Sequence, residues 1–205
     1  MNYFQLKRAI DIFLAIFLIV LFFPIWLIAP FLILIESGQP IFYRHKRMGK
    51  NGKEFWIYKF RTMVVDADKV LFSNKRLLAE FKNGDWKLKN DPRITKLGRL
   101  LRNLTIDEFP QLLNVLNGEM SIVGPRAYLK KELKEQTKKY VSTRKMIKTI
   151  LSVKPGVTGV WQTSGRNIIP FAKRAKMDYD YAKNLSFWRD LKIILKTPKA
   201  MISKW

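Results

Sequence analysis

The chain has 205 residues, with 39 lysines and arginines against 16 aspartates and glutamates, a formal net charge of +23. It has no cysteine and one histidine, which excludes disulfides, zinc–thiolate and iron–sulfur sites, cysteine nucleophiles and two-histidine metal sites. Nearly half the residues are hydrophobic, which excludes a disordered chain, and the charge asks for an anionic partner: nucleic acid, anionic lipid or a phosphorylated substrate.

Residues 12–35 form an apolar run without an ionisable side chain. As one helix it would be about 36 Å long, enough for a hydrocarbon core of about 30 Å. It is too long for the core of a signal peptide, and no A-x-A-like cleavage pattern follows it. Pro24 and Pro30 interrupt it, and each removes a backbone donor. Lys7 and Arg8 precede the run, while Arg44, Lys46, Arg47, Lys50 and Lys53 follow. Basic flanks tend to stay cytoplasmic. Basic residues at both ends therefore favour a re-entrant segment that enters, bends at Pro24 and returns. A single-pass helix with a tolerated proline kink is the alternative. Residues 1–36 read as a membrane anchor and 37–205 as the domain it carries.

Segments 40–44 and 55–60 read as two strands, and Gly49-Lys50-Asn51-Gly52 between them reads as a hairpin turn. Residues 64–82 read as helical and 83–93 as polar and turn-rich. Leu97, Leu100, Leu101 and Leu104 outline a short amphipathic helix. A second helix covers 106–116 and ends at Asn117-Gly118. Residues 120–123 read as a strand stopped by Gly124-Pro125. A long charged helix is expected over 129–150, irregular glycine-rich chain over 155–170 and a helix over 171–185. Beyond it, Phe187, Trp188, Leu191, Ile194 and Leu195 lie near one helical face, with lysine and arginine opposite. Trp188 and Trp205 carry rings that favour interfaces. This helix lies on a membrane surface or packs on the core. The fold class is α+β and mostly helical, with an N-terminal re-entrant helix hairpin, a short β-hairpin and surface-lying amphipathic helices around a small domain.

Asp107 and Glu108 stand side by side in a chain short of acids. Thr105-Ile106-Asp107-Glu108 matches a capping box, with Glu108 reaching back to the cap. The same helix start also suits a phosphate. There one carboxylate can attack phosphorus, and its neighbour can hold Mg²⁺ together with phosphate oxygens and water. Lys59 and Arg61 alternate onto one strand face, where two cations suit a pyrophosphate or simply form a solvated edge. Gly124-Pro125-Arg126-Ala127 is a rigid turn with one anion-binding side chain. In the segment from Lys154 to Asn167, glycines permit close backbone approach, Trp161 offers a stacking face and Arg166 an anion fork. His45, among basic neighbours, reads as a surface or interfacial residue rather than a catalytic base.

These pieces occur in an order that resembles the small monotopic phosphoglycosyl transferases of the bacterial sugar transferase family. The resemblance runs from Lys7-Arg8-Ala9-Ile10-Asp11 through Tyr58-Lys59-Phe60-Arg61-Thr62-Met63 and Asp91-Pro92-Arg93. It is strongest at Thr105-Ile106-Asp107-Glu108-Phe109-Pro110-Gln111, and it continues through Val123-Gly124-Pro125-Arg126 and Pro155-Gly156-Val157-Thr158-Gly159 to Gln162, Gly165 and Arg166. It implies transfer of a sugar-1-phosphate from a nucleotide sugar, by family habit a UDP-sugar, to a polyprenyl (undecaprenyl) phosphate at the cytoplasmic face of a bacterial inner membrane. By the same match Asp107 is the nucleophile that carries a phosphosugar and Glu108 positions Mg²⁺. Arg102 contacts phosphate, and Pro125-Arg126 serves the nucleotide. In this family a second proline follows that arginine, where this chain has Ala127, and many members have serine where Phe23 precedes Pro24. Trp161, Gln162, Gly165 and Arg166 make a sugar-side loop that looks like hexose-using members. The partners implied are a nucleotide sugar, polyprenyl phosphate and membrane lipid, not nucleic acid. A non-enzymatic, membrane-anchored basic protein that binds nucleic acid or anionic lipid is the other reading.

Overall fold

The structure is a computed structural model that describes residues 2–83, 88, 90–165 and 169–202. It is α+β and mostly helical, as the composition and periodicity predict. Helix α1, Tyr3–Leu21, is started by Asn2, whose side chain accepts from the Gln5 N–H while the Gln5 side chain accepts from the Asn2 N–H. It breaks at Phe22, and α2, Phe23–Ser37, leaves at an angle of 63° with Pro24 in its first turn. A proline is tolerated there because first-turn N–H groups have no helical partner. Phe22 N–H still donates to Leu18 O, and Phe22 O accepts from Ile25 N–H, so the break leaves these groups satisfied. Among the described residues no single helix is long and apolar enough to cross a membrane; the bent pair together has the length and composition. The expected bend lies at the predicted place, one residue before the Phe23-Pro24 pair.

Strands β1, Phe42–Met48, and β2, Glu54–Phe60, pair antiparallel, with Arg47 opposite Phe55 and Tyr43 opposite Lys59. The turn between them holds Asn51 at φ 56° and Gly52 at φ 74°, the left-handed conformations that the Asn-Gly pair accepts most readily. The first strand lies further along than segment 40–44. The stretch 64–82 divides at Asn74 into α3, Ala67–Ser73, and α4, Lys75–Asn83. Helix α5, Lys96–Asn103, is capped by Thr95, whose hydroxyl accepts from Gly98 N–H. The expected helix over 106–116 is instead a 3-10 turn, Ile106–Glu108, followed by α6, Gln111–Leu116. Pro110 starts α6 rather than lying inside one longer helix.

Two further expectations change. The charged helix over 129–150 is broken into α7, Lys130–Lys139, and α8, Arg144–Ile150, by a 3-10 turn at Val141–Thr143. Within the glycine-rich stretch lies a strand: β3, Ser121–Val123, pairs in parallel with β4, Gly156–Thr158. A Cβ on Gly156 would lie 2.0 Å from the Gly124 nitrogen, so these two backbones can approach only because both residues are glycine. Helix α9, Phe171–Lys183, and α10, Phe187–Met201, complete the chain.

The N-terminal helix is part of the core. Ala15 packs in one cluster with Ile57, Leu112, Val115 and Ile122. Arg8 donates from both terminal nitrogens to the last carbonyls of α6, Val115 O at 2.6 Å and Leu116 O at 2.9 Å. Cations suit a helix C-terminus. Buried Asp11 accepts from Ser121 Oγ and Ile122 N–H. Asp190 of α10 accepts from Tyr3, Lys7 and Tyr181, so α1, α9 and α10 meet at one carboxylate. On the outer side of α10, Trp188 is 69% and Leu195 72% exposed, and Ile202 continues their seven-residue spacing.

Candidate active site

The 3-10 turn Ile106–Glu108 owes its place to Thr105. This residue has φ 58°, a left-handed conformation that is rare for a β-branched side chain and costs on the order of 1–3 kcal/mol. Thr105 joins α5 to the turn, and its Oγ1 donates to Met201 O of α10. The capping box is therefore not formed: Thr105 makes no side-chain cap at the turn, and Glu108 points elsewhere. Glu108 Oε1 accepts from Lys59 Nζ at 2.5 Å, and the same ammonium lies 3.8 Å from Asp107 Oδ2. One lysine from β2 thus joins both acids.

Asp107 is only 7% exposed, yet it lines a cavity of about 350 Å³. Burial pushes its carboxyl up to about 6; Glu108 adds to the rise, while Lys59 and Arg102 oppose it. Arg102 comes from α5, where its Nε donates to Thr62 Oγ1 at 2.8 Å, and it lines the same cavity. Arg126, Trp161 and Gln162 line it from the β3–β4 side. The turn that carries Arg126 is fixed on both sides: Gly124 N–H donates to Thr158 O, Gly156 N–H donates to Pro125 O, and Asp178 accepts from Arg126 N–H. Leu18 and Phe22 of the bent helix pair supply an apolar wall. The Phe22 ring lies 5.3 Å from that of Phe109, the residue after the acids, so the break in the N-terminal helix touches the acidic turn.

The predicted residues do not all converge. Asp107, Glu108, Lys59, Arg102, Arg126, Trp161 and Gln162 share the cavity. Arg61 does not. It is buried beside α2, and its Nη2 donates to Ser37 O, Ser37 Oγ and Gly38 O, capping the end of that helix. Strand β2 ends at Phe60, so the alternation that pairs Lys59 with Arg61 does not extend to Arg61. Pro125 contributes its carbonyl to the turn rather than a surface to the cavity, and Gly165 lies outside the lining with φ 124°. Arg166 lies outside the described residues, as does Trp205. Trp161 is 4% exposed, with the guanidiniums of Arg126 and Arg174 at 5.0 and 5.4 Å from its ring centroid. Its ring is occupied by arginines and offers no open stacking face. His45 is half-buried beside Tyr43; burial first, then Arg47, pulls its pKa down.

Arg47 also lines the cavity and was not singled out by the sequence. Its signal was strand alternation: Arg47, His45 and Tyr43 share the face of Phe55, Ile57 and Lys59.

Among the described residues there is no group of three or more His, Cys, Asp or Glu that could hold a metal ion. Asp107 and Glu108 offer two carboxylates. Mg²⁺ commonly takes one or two protein carboxylates and completes its shell with substrate phosphates and water. The donor set fits a cation that arrives with a phosphorylated substrate.

The family described as bacterial sugar transferase matches residues 2–204. Among curated proteins, the chain is 39% identical over 202 residues to the "Undecaprenyl-phosphate galactose phosphotransferase" of Salmonella typhimurium, covering 97% of this chain and 41% of that protein. It is 41% identical over 196 residues to the "UDP-galactose-lipid carrier transferase" of Erwinia amylovora, covering 94% of this chain and 39% of that one. It is 40% identical over 199 residues to the "Exopolysaccharide production protein ExoY" of Rhizobium meliloti, covering 95% and 84%. The chain thus spans about two fifths of the length of the first two relatives and most of the third.

Proposed function

We propose a function on the premise that this chain belongs to the bacterial sugar transferase family: it moves a sugar-1-phosphate from a UDP-sugar to undecaprenyl phosphate, through a phosphosugar carried on Asp107. The observation that carries this reading is the placement of Asp107. It is a buried acid that still lines a cavity, among Lys59, Arg102 and Arg126, against the apolar wall of Leu18 and Phe22. The cations suit an anionic donor, and the wall suits a polyprenyl chain.

In this reading an Asp107 carboxylate oxygen attacks the sugar-bearing phosphorus. The bond from that phosphorus to the bridging oxygen breaks, and the nucleoside monophosphate leaves with the electron pair. An oxygen of the polyprenyl phosphate then attacks the same phosphorus. The bond to Asp107 breaks and the carboxylate is restored. Lys59 keeps the buried acid ionised for the first step, and Lys59 and Arg102 stabilise charge on the transferring group. Glu108 would hold Mg²⁺ together with Asp107, and that ion would neutralise charge on the diphosphate. The names of the Salmonella and Erwinia relatives support a lipid-carrier acceptor, and the Erwinia name supports a UDP-galactose donor.

The bent pair α1–α2, with basic residues at both ends, would dip into one leaflet of the bacterial inner membrane from the cytoplasmic side. The exposed stripe Trp188, Leu195 and Ile202 would lie along the same surface. Such an enzyme would start the assembly of a glycoconjugate or exopolysaccharide. The test is a panel of nucleotide sugars assayed with undecaprenyl phosphate and Mg²⁺. UMP release from at least one UDP-hexose is expected; no release from any donor would contradict the reading.

A further inference from the structure

The cavity holds more positive charge than the acidic turn uses. Two of its guanidiniums, Arg47 and Arg126, come from β1 and from the turn after β3 rather than from β2 and α5, which supply Lys59 and Arg102. Arg47 donates one hydrogen bond, from Nη1 to Ala127 O at 3.3 Å, and its Nε is buried without a partner. The Arg126 side chain rests on the Trp161 ring, and its Nε is likewise buried without a partner.

A buried nitrogen without a partner does not by itself set these two apart, since Arg61 and Arg174 have one as well. The counter-charge does. Arg93 pairs with Asp91, Arg174 pairs with Glu132, and Arg61 sits on three oxygens at the negative end of α2. Among the described residues no salt bridge involves Arg47 or Arg126. Both side chains are partly buried, and a charge withdrawn from water is costly when no carboxylate lies within ion-pair distance. Two such groups side by side are costlier, and Arg47 is held below the ordinary arginine range by burial and then by Arg126. A dianion between them would remove both costs.

We propose that Arg47, together with Arg126, forms a second anion seat in this cavity, for the phosphate that stays on the departing nucleotide. The inference rests on the transfer reading for the identity of that phosphate. On β1 and β2, Arg47 faces Phe55, four residues from Lys59, so the two cations start about 13 Å apart along the hairpin and reach into one cavity from the same face. Lys59 and Arg102 would then hold the phosphate that is transferred, and Arg47 and Arg126 the one that leaves. Bidentate donors suit a terminal phosphate better than an ammonium does.

The test measures binding of UMP and of uridine to the full chain in detergent, with EDTA present so that no metal bridges the phosphate. Wild type, Arg47→Gln and Arg47→Lys are compared, and thermal melting checks that each variant is folded. Wild type is expected to bind UMP more tightly than uridine. Arg47→Gln should lose about 10- to 100-fold in UMP affinity, the loss typical for hydrogen bonds to a charged group, with uridine affinity unchanged. Arg47→Lys should fall between. Equal UMP affinity in wild type and Arg47→Gln, or no advantage of UMP over uridine in wild type, would overturn the seat. The donor panel is run alongside. Activity with an unchanged Arg47→Gln overturns only this inference, whereas an inactive wild type that shows Arg47-dependent UMP binding overturns only the transfer reading.

Discussion

At the scale of single residues, the proposed role of Asp107 would combine two demands that usually conflict. A nucleophilic carboxylate must be desolvated enough to react and ionised enough to attack. Burial raises its pKa to about 6, and Lys59 is the largest influence in the opposite direction. An acid whose pKa is raised loses its negative charge as pH falls through the raised value, so the first half-reaction should weaken below about pH 6. Removing Lys59 removes the nearest cation, so Lys59→Met should move the acid limb of the pH–rate profile to higher pH by about 1–3 units. The alkaline plateau should stay below that of wild type, because Lys59 would also steady the transferring phosphoryl group. The profile of donor-dependent phosphosugar formation checks this; an unshifted acid limb would mean that Lys59 does not control Asp107. Neighbouring residues show how far sequence reasoning reaches. The acidic pair stood out because acids are scarce in this chain, and Lys59 because strand alternation set it beside Arg61. The left-handed Thr105 did not, because nothing local marks a threonine for that conformation and its reward is the turn it creates.

At the scale of elements, the β-hairpin was legible because alternation and an Asn-Gly turn are local signals. Strand β4 was not, because its parallel partner is some thirty-five residues away and three-residue strands leave no periodicity. Arg61 shows a related limit: alternation cannot say where a strand ends, so a residue one step past β2 became the cap of α2. The break at Phe22 was foreshadowed by Pro24, but its contact with Phe109 was not, since that contact joins residues far apart in the chain. The broken pair ties the membrane reading to the acidic turn. A chain without cysteine allows a clean test of its topology. Cysteines introduced at Asn2 and at Lys50, both exposed, should be labelled from the same side of a sealed vesicle. Labelling from opposite sides would make α1 and α2 a bent crossing instead.

At the scale of the whole molecule, the parts form one connected unit. Arg8 and Asp11 lock α1 onto α6 and β3, and Asp190 gathers α1, α9 and α10. The cavity takes residues from the bent helix pair, the hairpin, the acidic turn, the β3–β4 edge and α10. Its walls therefore exist only when the segments on either side of residue 36 are packed together. A net charge of +23 would draw both an anionic donor and an anionic bilayer to this unit. Composition pointed to anionic partners in general, and the cavity sets cations beside an apolar wall, as the proposed phosphorylated lipid would require. The most direct test is intact-mass measurement of the purified chain after exposure to an accepted nucleotide sugar without any polyprenyl phosphate. A gain of one sugar-phosphate is expected, mapped to Asp107, lost on adding polyprenyl phosphate and never formed in Asp107→Asn; transfer without any adduct, or an adduct on another residue, would rule out Asp107 as the carrier.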